Sequence, residues 1–237
     1  MKSVVHTSES RGHANFGWLN SKHSFSFASY HNPSRVHFGA LRVLNDDIVA
    51  PGKGFDTHPH DNMEIISIPL EGDLLHKDSM GNEVIIKEDD IQAMSAGTGI
   101  SHSEYNKNID KEVKFLQIWL FPNKKNVVPR YDQITLNKDN LKNKFHQILS
   151  PKPEDEGVWI HQNAWFNLGH FNQSSTREYQ LHNANNGVYA FVLEGEIKIA
   201  EQILKRRDAI GIWDTNEITV EIVNLAKVLL MEVPMHI

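Results

Sequence analysis

Apolar positions along this chain come in short runs and not in helical stripes. Between Asp47 and Asn106 the runs are cut by turn-forming groups at intervals of about ten residues: Pro51-Gly52, Glu71-Gly72-Asp73, Met80-Gly81-Asn82, Asp89-Asp90 and Gly97-Thr98-Gly99. The runs between them, such as Met63 to Leu70 and Glu83 to Lys87, have the length of strands. No segment keeps a period of about 3.6 residues over several turns. Ser24-Phe25-Ser26-Phe27-Ala28 alternates with a period of two, which predicts a strand with Phe25 and Phe27 on one face. Val113 to Phe121 reads as a strong strand that Pro122 ends. This rhythm predicts an antiparallel sandwich or barrel.

A polar bridge rich in Lys, Asn and Pro follows, from Asn123 to Pro153, with a short helix expected within Leu136 to Phe145. The domain boundary is expected in that bridge. Beyond it, Trp159 to Leu168 and Gly187 to Ile199 read as strands again. Two echoes tie the halves together: Pro69-Leu70-Glu71-Gly72-Asp73 returns as Val192-Leu193-Glu194-Gly195-Glu196, and Asp89-Asp90-Ile91 as Arg207-Asp208-Ala209. The expectation is an all-β chain of two antiparallel β-barrel, jelly-roll domains in tandem, residues 1–133 and 134–237.

Composition narrows the function. The chain has 237 residues, 40% of them hydrophobic, enough for real cores. Its formal charge is −6 and no basic block exceeds Lys205-Arg206-Arg207, so direct nucleic-acid binding has no electrostatic footprint, and that triplet is expected in a solvated turn or strand edge. There is no cysteine, which excludes disulfides, thiolate ligands and a cysteine nucleophile and leaves an all-N/O site. Neither a signal peptide nor a run of ~20 apolar residues is present, so a cytoplasmic protein without a membrane partner, and a monomer, is expected.

Candidate chemistry gathers in two stretches, GKGFDTHPHDNMEIISIPLEG from Gly52 to Gly72 and AGTGISHSEYN from Ala96 to Asn106. His58 and His60 stand two residues apart, as do His102 and Glu104. Strand residues at this spacing share a face at roughly 6–7 Å, so two such strands facing each other make a three-His, one-carboxylate metal site. Gly52, His58, His60, Glu64 and Gly72 nearly reproduce the first sequence motif of the cupin barrels, with one extra residue before the closing Gly. Gly99, His102 and Asn106 fit the second motif. His13, His23, His31 and His37 share no spacing and are expected to be structural.

With HSFSFASYHNP from His23 and FGALRVLNDD from Phe38 added, the chain resembles the pirin family, and within it the bacterial pirin-like quercetin 2,3-dioxygenases. The resemblance implies a bicupin, with metal ligands at His58, His60, His102 and Glu104. It places the ligand carboxylate after the third His and leaves Glu64, a ligand in many cupins, as a candidate for the proton-accepting role. By the internal echoes, the positions matching the ligands in the second domain are Leu181, Asn183, Val220 and Ile222, so that domain is expected to hold no metal. The donors suit Fe(II) first, with Mn, Ni, Co, Cu or Zn possible. The resemblance implies ring-opening dioxygenation of a flavonol, with a phenolic substrate and O2 as partners and carbon monoxide released; Glu64 or Glu104 would serve as the catalytic carboxylate. Asn62 and Asn106 are candidates for orienting the imidazoles, and Phe55, Met63, Met94 and Phe115 for the substrate walls. A different class, a metal-sensing regulatory module, is implied by the family's eukaryotic members.

Overall fold

Three hydrogen-bonded sheets account for the chain in the computed structural model, which describes all 237 residues. The first barrel sets a seven-stranded sheet against a four-stranded one. The larger sheet runs in the order Arg130–Thr135, Asp90–Ser95, Glu64–Glu71, Val113–Leu120, Leu41–Val49, Leu19–His23 and Gly12–Asn15. The smaller runs Gly54–His60, Ile100–Asn106, Leu74–Asp78 and Glu83–Ile86. The second barrel is one nine-stranded sheet wound about two long strands, Asn186–Ile199 and Glu217–Pro234, whose ladder is bent by irregularities at Val192/Glu194 and Gly195/Ile197. Pairing between strands is antiparallel except for the short contact of Phe145–Ser150 with Val158–Trp159, and one isolated bridge, Lys142 to His170, is also parallel. The chain is therefore all-β with two cupin domains.

The internal echo has a physical basis. Gly72 and Gly195 both take left-handed backbone angles, φ +79° and +84°, and each lies tight against the backbone of a neighbouring strand. A Cβ at Gly195 would stand 1.7 Å from the Leu225 carbonyl oxygen, so only glycine fits the turn.

Between the barrels lies a core of 28 buried residues. Ile66, Ile68, Leu116 and Ile118 enter it from the outer face of the seven-stranded sheet, and Phe166, Tyr189, Leu229 and Met231 from the second barrel. A sheet covered on both faces needs no polar side, which is why Glu64–Pro69 is buried without a break. At about 25 cal/mol per Å² of apolar surface, such a core dominates the association of the two units.

The structure amends several expectations. Lys2–His6 pairs with Ala209–Trp213, so the first strand of the chain belongs to the second barrel's sheet. The expected division at 133 passes through Arg130–Thr135, all of which pairs with Asp90–Ser95. The expected helix shrinks to Lys138–Leu141, its start capped by the Asn137 side chain accepting from the Asp139 amide at 3.0 Å. Ser24–Ala28 is not a strand: Ala28 has φ 49°, and the two Phe rings part, Phe25 packing on Tyr189 and Phe27 on Trp119. No helix is long and apolar enough to cross a membrane.

Lys205-Arg206-Arg207 is only partly solvated. Arg207 is buried with φ 68°, and its Nε lies 3.0 Å from Asp46, which also pairs with Arg11 Nη1 at 3.2 Å. One carboxylate thus holds two guanidinium groups where the barrels meet. Asp46→Ala leaves both cations unpaired and partly dry, and it should lower unfolding stability by about 3 kcal/mol in urea denaturation while the β-sheet circular dichroism persists. A loss below about 0.5 kcal/mol would place this triad among ordinary surface pairs.

Candidate metal centre

Register builds the centre. Gly54–His60 and Ile100–Asn106 pair antiparallel with His58 opposite His102, and the ladder slips between His102 and Glu104 so that Glu104 stands opposite Phe55. On its other side Ile100–Asn106 pairs with Leu74–Asp78, placing Glu104 opposite His76 and His102 opposite Asp78. Cross-strand neighbours share a face. One side of this sheet therefore carries His58, His60, His102, Glu104, His76 and Asp78, turned into the barrel.

The three imidazoles His58, His60 and His102 lie with ring centroids 4.5 to 4.9 Å apart, and their donor atoms fall within 4.8 Å of one another. Small side-chain rotations would bring them to the ~2.1 Å bonds of a single ion. Their hydrogen bonding fits that use. His60 Nε2 and both ring nitrogens of His102 are buried with no hydrogen-bond partner, an arrangement costly in a dry interior unless something accepts the lone pairs. His58 Nδ1 lies 2.7 Å from the Asp56 carbonyl oxygen, which accepts a hydrogen bond from its N–H and leaves the Nε2 lone pair for a metal. Burial, followed by the neighbouring imidazoles, pushes His60 down to about 4 and His102 down to about 3. Both are thus neutral around pH 7, the state that ligation requires.

Glu104 sits deeper. Ser67 Oγ donates to Oε1 at 2.9 Å and Gln117 Nε2 to Oε2 at 2.6 Å, while burial raises its carboxyl above the usual range. Its donor atoms group with those of His102 and His76, and not with those of His58 and His60. The four expected ligands, joined by His76, therefore fall into two triads that share His102. Ser67 and Gln117 belong to a polar row of register neighbours across the seven-stranded sheet: His23, Asn45, Gln117, Ser67 and Gln92. This row faces the four-stranded sheet and cradles Glu104 from opposite.

Glu64 is placed elsewhere. The chain turns at Asn62, φ 45°, so the face shared by His58 and His60 does not continue through it. Glu64 lies on the outer face with Ile66 and Ile68, accepts from Ser95 Oγ at 2.6 Å, and takes part in the contact between the barrels. Glu64 would share the face of His58 and His60 only in a strand unbroken at Asn62, and the strand is broken there. Asn106 braces loops, donating to the carbonyls of Val49 and Lys111, and Asn62 bonds Asn126; neither orients an imidazole. Of the candidate walls, Met63 and Met94 cluster with Trp119 beside His60, whereas Phe55 and Phe115 belong to a separate cluster. Trp119 packs edge-on against His60, ring centroids 4.9 Å apart, and its buried Nε1 is unpartnered. Sequence reading missed His76, Ser67, Gln117 and Trp119; for His76 a signal was present, the alternate-position pair His76 and Asp78.

In the second barrel, Leu181, Val220 and Ile222 lie in the apolar core, whereas Asn183 is exposed.

Comparisons with known proteins agree with this architecture. A family model described as Pirin matches residues 4–120, and one described as Quercetinase C-terminal cupin domain matches residues 147–233. A quercetin 2,3-dioxygenase of Escherichia coli is 39% identical over 224 residues, covering 94% of this chain and 95% of that protein. A putative quercetin 2,3-dioxygenase of Zymomonas mobilis is 40% identical, covering 89% of each chain. The crystal structure of a bacterial pirin, YhhW, from Escherichia coli in complex with nickel(II) superposes with a TM-score of 0.93 at 36% identity, covering 98% of this chain and 99% of that one.

The position of Glu64 has a measurable consequence. Burial raises its carboxyl to about 7 against an ordinary value of 4.5, so the folded protein binds this proton more tightly than the unfolded chain. Stability is then lost as pH rises from 4.5 through about 7. Glu64→Gln carries no charge to bury; it should gain about 2 kcal/mol over the parent at pH 8 and nothing near pH 4, with bound metal unchanged. Loss of metal on this substitution would return Glu64 to the centre.

Proposed function

The chain belongs to the pirin family, and on that premise we propose that it is a metal-dependent dioxygenase that opens the ring of a flavonol such as quercetin, with release of carbon monoxide. The observation that carries the reading is the triad His58, His60 and His102: donor atoms within 4.8 Å of one another, with His60 Nε2 and both His102 nitrogens buried and unpartnered, half-open on the His58/His60 side and closed on the His102 side. The names of the relatives at 39% and 40% identity supply the substrate class.

His58, His60 and His102, with Glu104 from the inner side, would hold a divalent cation; Fe(II) is favoured, and Mn, Ni, Co, Cu or Zn suit the same donors. Bound there, such a cation would supply Lewis acidity that lowers the pKa of a phenolic hydroxyl. The protein supplies the rest. The Asp56 carbonyl keeps the His58 tautomer fixed. Trp119 and Met63, both half-buried, present an aromatic and a thioether surface beside His60, the surroundings a planar polyphenol requires as it enters from the open side. The buried face beneath excludes bulk water from the reacting carbons. Glu104, whose carboxyl burial raises, would be the carboxylate that accepts the hydroxyl proton.

Anaerobic addition of quercetin to the Fe(II)-loaded protein should shift the flavonol absorption band. Admitting O2 should then bleach it with about one carbon monoxide per turnover, as the proposed cleavage requires. His102→Ala should do neither, and Glu104→Gln should weaken the metal by about 10- to 100-fold, the range found when a supporting anion is lost at a metal site. An unshifted band with metal fully bound would contradict the dioxygenase reading and leave a metal-binding regulatory module.

A further inference from the structure

The two barrels meet along a cleft that takes no part in the metal centre. At its bottom is an enclosed space of about 80 Å³, walled by Ile68 and Leu70 of the first barrel, Leu136 and Leu141 of the bridge, and Leu168 and Leu193 of the second barrel. It adjoins an open basin of about 580 Å³, and His170, Glu194 and Lys227 line both. A volume of that order suits a small molecule, and a junction between domains is a common place for one.

Register sets one wall of the basin. Lys142 bridges to His170, His170 stands opposite Lys227, and Lys227 stands opposite Glu194. These four therefore form a row across neighbouring strands, and all of them line the basin. Glu194 is turned to Arg206, whose Nε lies 2.8 Å from it, and Lys138 is taken by Asp89 at 2.6 Å. Asp139, exposed, is the basin's other acid, and no carboxylate lies within ion-pair distance of Lys142 or Lys227. The His170 ring makes no hydrogen bond, and burial followed by the charge of Lys227 pushes it down to about 4. Around pH 7 the row thus presents an ammonium, a neutral imidazole and a second ammonium with no anion between them. Two like charges beside an apolar hollow attract an anion, and their mutual repulsion is relieved when one sits between them.

We propose that this cleft binds a small amphiphilic carboxylate, its charge held between Lys142 and Lys227 over His170 and its apolar body directed past Leu168 and Leu193 into the enclosed space between the barrels. Both halves of the ligand follow from the lining. A purely inorganic anion would leave the apolar hollow unused, and a neutral hydrocarbon would leave the two ammonium groups unpaired. The site stands apart from the chemistry of the first barrel and does not rest on the dioxygenase reading.

Calorimetric titration of the full chain with octanoate and, separately, with benzoate at low ionic strength tests this. At least one of the two acids should bind one to one with a dissociation constant below about 1 mM. Octan-1-ol and octylamine, which keep the octanoate tail without its charge or with the opposite one, should bind at least about 10-fold more weakly, the worth of one charge-assisted hydrogen bond. Lys142→Gln and Lys227→Gln change exposed side chains, so both variants should fold as the parent does. Each should weaken the bound acid by about 10-fold. His102→Ala should bind it as the parent does, because the cleft lies outside the metal centre. Absence of binding by both acids, equal binding of octan-1-ol, or parental affinity in both lysine variants would overturn the proposal. Loss of binding in His102→Ala with parental affinity in the lysine variants would place the carboxylate at the metal centre and overturn it equally.

Discussion

The centre depends on a single register, that of Ile100–Asn106 against Gly54–His60, which sets His102 opposite His58. Side chains on a strand alternate with a period of two, so a slip of one residue would turn every donor on that strand out of the barrel. The ladder on the other side, with Leu74–Asp78, repeats the constraint and sets His76 against Glu104. The irregularity between His102 and Glu104 lets one strand carry both an outer and an inner donor, each paired with a different neighbour. Three buried titratable groups in so small a volume, His76, His102 and Glu104, oppose folding by themselves. They are tolerated because the seven-stranded sheet behind them is anchored through the 28-residue core between the barrels.

That division of labour explains the second barrel. Its interior is apolar at three of the four positions matching the ligands, Leu181, Val220 and Ile222, and its long strands cover the outer face of the sheet whose inner face carries the polar row. Ser67 and Gln117 reach Glu104 from strands whose alternate residues, Ile66, Ile68, Leu116 and Ile118, are packed against the second barrel. The geometry around Glu104 is thus held by apolar contacts made on the opposite side of the same strands.

Much of this was legible in the sequence. The turn rhythm gave the all-β architecture, the Gly72/Gly195 echo marked two equivalent turns, and the i, i+2 spacing of His58 and His60 marked a shared face. What the sequence could not convey was which face a strand presents after a break. Asn62 takes a left-handed angle, and the turn there sends Glu64 to the outer side, a reversal that spacing cannot register. Ser24–Ala28 failed for a related reason: its alternation was real, but the two Phe rings are claimed by different cores. His76 escaped notice because its importance comes from strand order, which places it beside Glu104 although 28 residues separate them in the chain. Arg207 lies in a run of three basic residues, and only its burial beside Asp46 distinguishes it from the solvated charges around it.

The claim on which the rest turns is that one point inside the first barrel is surrounded by the imidazoles of His58, His60 and His102. X-ray absorption at the nickel edge of stoichiometrically loaded protein addresses it directly, since imidazole rings give a scattering pattern that carboxylates and water do not. The account predicts at least three imidazoles around nickel in the parent protein and one fewer in His58→Ala. An oxygen-only coordination sphere, or a sphere that keeps all its imidazoles in His58→Ala, would contradict it.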